Sequence, residues 1–429
     1  MRTFAYMKKL PIGIQSFAKI RRGDYLYVDK TEHLLRLLEG GSYYFLSRPR
    51  RFGKSLTVNT LASLFRGERR LFEGLWVEDR WDWEKRHPVV QIGFSSMGYK
   101  ELGLEAAIEK RLREQARANG VVLEEKGNSQ LFRELIEKLY ESQGQVVVLI
   151  DEYDKPIIDY LEDFEKASAQ RDLLKTFYSV LKDADDYLRF VFITGVSKFS
   201  RTSIFSELNN LTDLTMAEDF VTALGYTQVE LEHYFEDHIS RLSEKNGWTR
   251  QEALGEIREW YNGYSWNGED RVYNPFSILS LFRGMQFRNF WFATGTPTFL
   301  IKLLNRNRRY DLEDIQATES AFESYDFDNL SVEALLLQTG YITIKGAPRF
   351  GLYPLGYPNR EVRESMLRHL VAGASGRTPA TAASPALEMA DALSVGDLEK
   401  LIVQLNALLA SIPYDWHQNR EGYYHTVMH

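Results

Sequence analysis

The segment SRPRRFGKS, Ser47 to Ser55, decides how this 429-residue chain is read. It closes with Gly53, Lys54 and Ser55, the ending of a phosphate-binding loop, yet carries Arg48 where the G-x-x-x-x-G-K-[ST] pattern has its first glycine. The flanks decide what such a fragment is worth. SYYFL before it is an aromatic, strand-forming run. SLTVNTLASLF after it repeats apolar residues at helical spacing, at Leu56, Leu61, Leu64 and Phe65. In a strand–loop–helix, backbone amides and the helix N-terminus hold phosphates. Lys54 would reach the β- and γ-phosphates, and Ser55 would ligate magnesium. Arg48 gives up the backbone freedom of glycine, and Pro49 stiffens the loop. Arg50 and Arg51 either make charge-assisted phosphate contacts or pair with carboxylates such as Asp151, Glu152 or Asp154.

Outward from the loop, three buried strands are expected: PVVQIGF (88–94), QVVVLID (145–151) and LRFVFITG (188–195). Helical stretches at 101–118, 129–142 and 168–183 separate them. Strands alternating with helices predict an α/β fold, a parallel sheet covered by helices on both faces. TMAEDFVTALG (215–225) is the candidate fifth strand. The expected organisation is an N-terminal lead and helix (1–41), a P-loop core (42–225), a helical lid (226–330), a winged-helix-like region (331–372), a linker (373–386) and a C-terminal helical segment (387–429). The lead's helix has its apolar face at Leu34, Leu35, Leu37 and Leu38, capped by Asp29 or Thr31. SVEALLLQTG predicts a helix ended by Gly340, followed by a hairpin. The Ala-, Ser-, Thr-, Gly- and Pro-rich run 373–386 predicts the linker.

Two further strand ends carry chemistry. VVVLIDE is an apolar strand ending in Asp151-Glu152, the form of a Walker B motif. Asp151 would hold magnesium through its outer shell, and Glu152 would orient or deprotonate the attacking water. A strand at 88–94 lies in sequence between the loop strand and the Asp-Glu strand, an arrangement like that of the additional-strand P-loop ATPases. FVFITGVSKFSR brings Thr194, a candidate polar sensor, with Lys198 and Arg201 as candidates for stabilising transition-state charge.

Composition narrows the alternatives. A net charge of −7 argues against a protein that coats nucleic acid by charge alone. There is no cysteine, which removes thiolate metal sites and disulfides. No run reaches the roughly 20 apolar residues of a membrane helix, and no apolar signal segment opens the chain, so a cytoplasmic location is expected.

The motifs RPRRFGKSL, VVVLIDEYDKPI, FITGVSKFSRTSIFSELNNLTDLT, WYNGYSW, YNPFSIL, FWFATGTPTFLIKLL and YPLGYPNREVRESM resemble those of the AAA-ATPase-like proteins of bacteria and archaea over almost the whole chain. The resemblance makes Arg48 the family's own form of the loop. It implies that Arg48, Pro49, Arg50, Arg51, Phe52, Gly53, Lys54, Ser55 and Leu56 cradle ATP. It also implies a helical lid, a winged-helix-like region and, in full-length members, a following PD-(D/E)XK nuclease domain. Only Glu124-Glu125-Lys126 fits [DE]-x-K here, without an upstream aspartate, so no nuclease activity is expected of this chain. The expected function is magnesium-dependent ATP hydrolysis as a switch or motor for a nuclease or nucleic-acid partner. The alternative is an ATP-binding regulatory module with little hydrolysis. Oligomerisation, and whether Arg201 acts within one chain or across two, stays open.

Several residues invite other readings. His425 and His429 have metal-pair spacing but no third ligand; His233 and His238 are expected on the surface. Tyr261, Tyr264, Trp266 and Tyr273 are either an adenine platform or core. Asp29 and Lys30 are candidates to touch the base. Arg349, Arg360 and Arg363 form either a basic face or solvated surface.

Overall fold

The computed structural model describes residues 7–198, 204–205, 208, 210–291, 300–301, 303–304, 312–323, 331–375, 388–389, 392–393 and 395–410. Its centre is a five-stranded sheet, β1 (Tyr43–Ser47), β2 (Val89–Gly93), β3 (Val146–Asp151), β4 (Leu188–Gly195) and β5 (Thr212–Asp213). Every pairing in it is parallel, in the order β2-β3-β4-β1-β5. β1 to β4 are largely buried on both faces, which is why they read as apolar runs. Tyr44, Leu46, Val147, Leu149, Phe190 and Phe192 pack on one side with α1 (Thr31–Gly40) and α2 (Lys54–Phe65). Tyr43, Phe45, Val148, Ile150, Val191 and Ile193 pack on the other, with α3 (Leu104–Ala118), α4 (Asn128–Gln143) and α5 (Phe164–Asp183).

One expectation stands and one changes. The strand at 89–93 does lie in sequence between the loop strand and the Asp-Glu strand; in the sheet it is at the edge, and β4 lies between those two strands. The fifth strand is the dipeptide Thr212–Asp213, while 215–225 forms turns around a short 3-10 helix, Glu218–Phe220. The longer apolar segment lacks the period-2 pattern of a strand, and only two residues pair with β1.

Helices follow from Gln228: α6 (Gln228–Tyr234), α7 (Glu236–Asn246), α8 (Arg250–Tyr261) and α9 (Pro275–Gly284). Thr227 with Glu230 and Thr249 with Glu252 form capping boxes that fix the starts of α6 and α8. Next come β6 (Ile315–Thr318), α10 (Val332–Thr339), β7 (Thr343–Ile344), β8 (Leu352–Gly356) and α11 (Arg360–Ser375). The three strands form a small antiparallel sheet, β6-β8-β7. Gly340, at φ 86°, ends α10 as its position in the sequence predicts. This region shares one continuous apolar core with the α1–α2 face of the large sheet.

Candidate functional site

The sheet register gathers the motifs at one edge. Ser47 lies opposite Gly195, and Ile150 opposite Ile193, so the ends of β1, β3 and β4 are level. The phosphate loop leaves β1 there and returns as α2.

The loop turns at one of the two glycine positions that the pattern marks and at one residue between them. Positive φ falls at Arg51 (69°) and Gly53 (96°), whereas Arg48 does not adopt it. Glycine is therefore not required at position 48, and the strained left-handed conformation is borne by an arginine, at a cost of about 1–2 kcal/mol. Arg48 is fully buried. Its guanidinium donates to the carbonyls of Ser47 (2.9 Å), Thr215 (2.8 Å) and Phe220 (3.1 Å) and lies 3.9 Å from the Trp266 ring centroid. Burial pulls it down to about 9. Its side chain braces the loop from behind.

Lys54 is buried, and its Nζ donates to the carbonyls of Arg48 (2.7 Å) and Pro49 (2.9 Å). Burial lowers its pKa, opposed by Glu152, Asp151 and Asp154. Arg50, Arg51, Gly53, Lys54, Ser55, Leu56 and Glu152 line one cavity of about 710 Å³. Its apolar wall includes Ile14, Tyr226, Pro275, Phe276 and Leu279. The first-turn amides of α2 have no intrahelical partner by construction, so three cations and a helix N-terminus converge on this space. That donor set fits a polyphosphate. No group of three or more His, Asp or Glu able to hold a metal occurs among the described residues. A magnesium ion held by Ser55 and Asp151 would thus complete its shell with phosphate and water oxygens.

Asp151 Oδ1 accepts the Thr194 hydroxyl at 2.7 Å, a contact the level strand ends dictate. Glu152 has φ 54° and accepts a hydrogen bond from the Ser95 hydroxyl, just beyond β2. Burial raises the Glu152 pKa, opposed by Lys54. Asp154 is buried, and one oxygen accepts the amides of Val196 (3.0 Å) and Ser197 (2.6 Å) and the Ser197 hydroxyl (2.7 Å). It ties the segment leaving β4 to the end of β3. Ser95 and the bracing role of Asp154 escape sequence reading, because neither sits in the spacing of a known pattern.

Other candidates fall elsewhere. Lys198 is buried and ion-paired to Asp213 at 2.9 Å, so its charge is spent inside the fold. Arg201, His425 and His429 lie outside the described residues. Asp29 accepts the Thr31 amide and hydroxyl and the Trp76 amide, and Lys30 pairs with Glu230; both serve structure. Tyr264 and Trp266 pack edge-on against Phe52, at 4.8 and 5.5 Å, as core beneath the loop. His238 is buried against Phe235 and Phe282, against the expectation of a surface residue, while His233 is exposed. Arg360 pairs with Glu364 and Glu259, and Arg363 with Glu313, which removes two members of the supposed basic face. The amides of Glu124 and Glu125 bind the Glu134 carboxylate in an exposed loop.

Comparison with known proteins agrees with the motifs. A family model described as predicted AAA-ATPase matches residues 11–205. An uncharacterized protein in the vnfD 5′ region of Azotobacter chroococcum mcd 1 is 44% identical over 440 residues, spanning 98% of this chain and 82% of that protein. Among solved structures, the Aeropyrum pernix ORC1 protein in complex with DNA is 14% identical with a TM-score of 0.33, covering 81% of this chain and 95% of that chain; a likeness at that level carries no argument here. The loop ending in Gly53-Lys54-Ser55, the Asp151-Glu152 strand end and the two sequence matches together place the chain in the AAA-ATPase-like family.

Proposed function

We propose that the chain binds ATP with magnesium and hydrolyses it, acting as a switch or motor module for a nuclease or nucleic-acid partner. The observation that carries this is the placing of Lys54, Ser55 and Glu152 on one cavity at the amide end of α2. Asp151 is held beside them by Thr194. In this reading Lys54 leaves the Arg48 and Pro49 carbonyls for the β- and γ-phosphates. Ser55 and Asp151 would hold the metal, which when bound would neutralise phosphate charge. Glu152, kept in place by Ser95, orients the attacking water and takes its proton. Thr194 fixes Asp151 and reaches the γ-phosphate. Arg50 and Arg51 add positive charge, Pro49, Phe52 and Leu56 shape the loop, and Arg201 is a further candidate for transition-state charge. The segment 331–372, which holds α10, the antiparallel β7–β8 pair and most of α11, is read as winged-helix-like and is where a nucleic-acid partner would dock. DNA affinity that falls steeply with salt would support that docking; no binding at low salt would end it.

The experiment is phosphate release by the purified chain with ATP and magnesium, beside Lys54→Ala. Steady release that Lys54→Ala abolishes supports the reading. A second reading, an ATP-holding regulatory module, is favoured by Lys54 being tied to loop carbonyls. It predicts ATP-dependent thermal stabilisation, lost in Lys54→Ala, without turnover.

A further inference from the structure

Each residue of the loop between β1 and Gly53 rests on the region after Tyr226. Arg48 stacks on Trp266, and Phe52 packs on Tyr264 and Trp266. A Cβ on Gly340, at the end of α10, would meet Pro49 side-chain atoms at 2.7 and 2.8 Å, so the proline ring packs directly on the Gly340 backbone. The Arg50 carbonyl is approached by the Trp291 indole (3.4 Å) and the Asn274 side-chain amide (3.5 Å). The Arg51 guanidinium lies 3.7 Å from the centroid of Phe276, and its Nη1 is buried without a hydrogen-bond partner.

The two supports on the Arg50 carbonyl meet at one carboxylate. Glu361, in the first turn of α11, is fully buried. One oxygen accepts the Trp291 amide at 2.7 Å, the residue whose indole reaches Arg50. The other accepts the Ser277 hydroxyl at 2.7 Å. Ser277 in turn gives its amide to Asn274 Oδ1, which caps α9, and the same Asn274 reaches Arg50. Glu361 and Arg51 also attract each other, although no cation lies within ion-pair distance of the carboxylate among the described residues. A buried carboxylate without a contacting cation is costly, and burial pushes Glu361 up to about 7 against its hydrogen bonds and Arg51. Apolar packing alone would not call for it at that place.

We infer that Glu361 is a positioning residue for the phosphate loop: from α11 it sets the Arg50 carbonyl through Trp291 and the Asn274–Ser277 cap. The inference rests on the proposed nucleotide site. It makes the loop's shape depend on protein contacts where other phosphate loops rely on glycine. It also gives the C-terminal region a direct hold on nucleotide affinity.

The test is ATP binding with magnesium, by titration calorimetry, for the wild type, Glu361→Ala, Glu361→Gln and Ser277→Ala, with a thermal melt of each in buffer alone. Glutamine can still accept the Trp291 amide and donate to the Ser277 hydroxyl; alanine can do neither. Glu361→Ala is expected to weaken ATP binding by about tenfold to a hundredfold, with Glu361→Gln staying close to the wild type. Ser277→Ala, which removes one link without emptying the site, is expected to fall between them and keeps the test valid if Glu361→Ala does not fold. Cooperatively folded Glu361→Ala or Ser277→Ala with wild-type affinity overturns the inference and leaves the nucleotide site standing. Wild-type protein that binds no ATP overturns the site itself.

Discussion

At the scale of single residues, the loop shows how a departure from a motif is absorbed. Arg48 replaces a glycine that the backbone does not need there, because the left-handed turn has moved to Arg51. At Gly195 a side chain is excluded: a Cβ would meet the Tyr153 ring at 2.5 Å and Asp154 Oδ1 at 2.8 Å. Gly195→Ala is expected to cost about 1–3 kcal/mol, read as a lowered denaturant midpoint with unchanged slope. Glu152 gives a pH prediction. Burial raises its pKa, and a water-activating base must be unprotonated, so turnover should fall on the acid side at a pH above the ordinary glutamate range. Ser95→Ala removes its hydrogen-bond partner and should lower turnover without weakening ATP binding, measured by steady-state rates beside calorimetry. Lys54, Ser55, Asp151 and Glu152 were legible because strand–loop–helix and strand-end patterns are local. Ser95 and Glu361 were not, since each acts across a long sequence separation through the fold.

Among the elements, the continuous apolar runs at β3 and β4 predicted buried parallel strands, and the structure has them at 146–151 and 188–195. Strand order was not legible, because a run's composition does not say which neighbour it pairs with. The fifth strand was misplaced for a related reason: two residues carry no periodicity. Yet β5 matters, since Asp213 neutralises Lys198 at the exit of β4. Burial alone would raise the Asp213 pKa, but Lys198 and the Thr215 hydroxyl and amide outweigh it and the pKa is lowered. A carboxylate with a folded pKa below its unfolded one stabilises above the ordinary aspartate range, and that stability is lost as pH falls through the folded value. Asp213→Asn should therefore destabilise near neutral pH, by about 3–5 kcal/mol if Lys198 stays charged and buried. The difference from the wild type should shrink in melts taken at progressively lower pH.

For the whole molecule, the finding is that the region after the sheet domain does not stand apart from the loop. Tyr264, Trp266, Leu335, Tyr341 and Leu370 belong to the same apolar core as α2 and one face of the large sheet. Gln338 of α10 accepts the Lys198 amide at 2.8 Å and donates to the Phe322 carbonyl at 2.9 Å, joining the end of β4 to the C-terminal region. Composition and helical periodicity suggest units in series along the chain; they could not show that Arg48 to Phe52 are packed against residues that follow Tyr226. ATP should therefore slow amide exchange in α10 as well as in the loop, and exchange confined to the loop would argue that the two are not coupled.

The measurement that tests the central claim most directly is phosphate release from ATP and magnesium by the wild type and Glu152→Gln, with ATP affinity determined for both. The account predicts retained binding and a turnover lowered by about 10²–10⁴-fold in the variant. Equal turnover in the two proteins would contradict it, because the reaction would then not pass through the residue that the site sets beside Lys54.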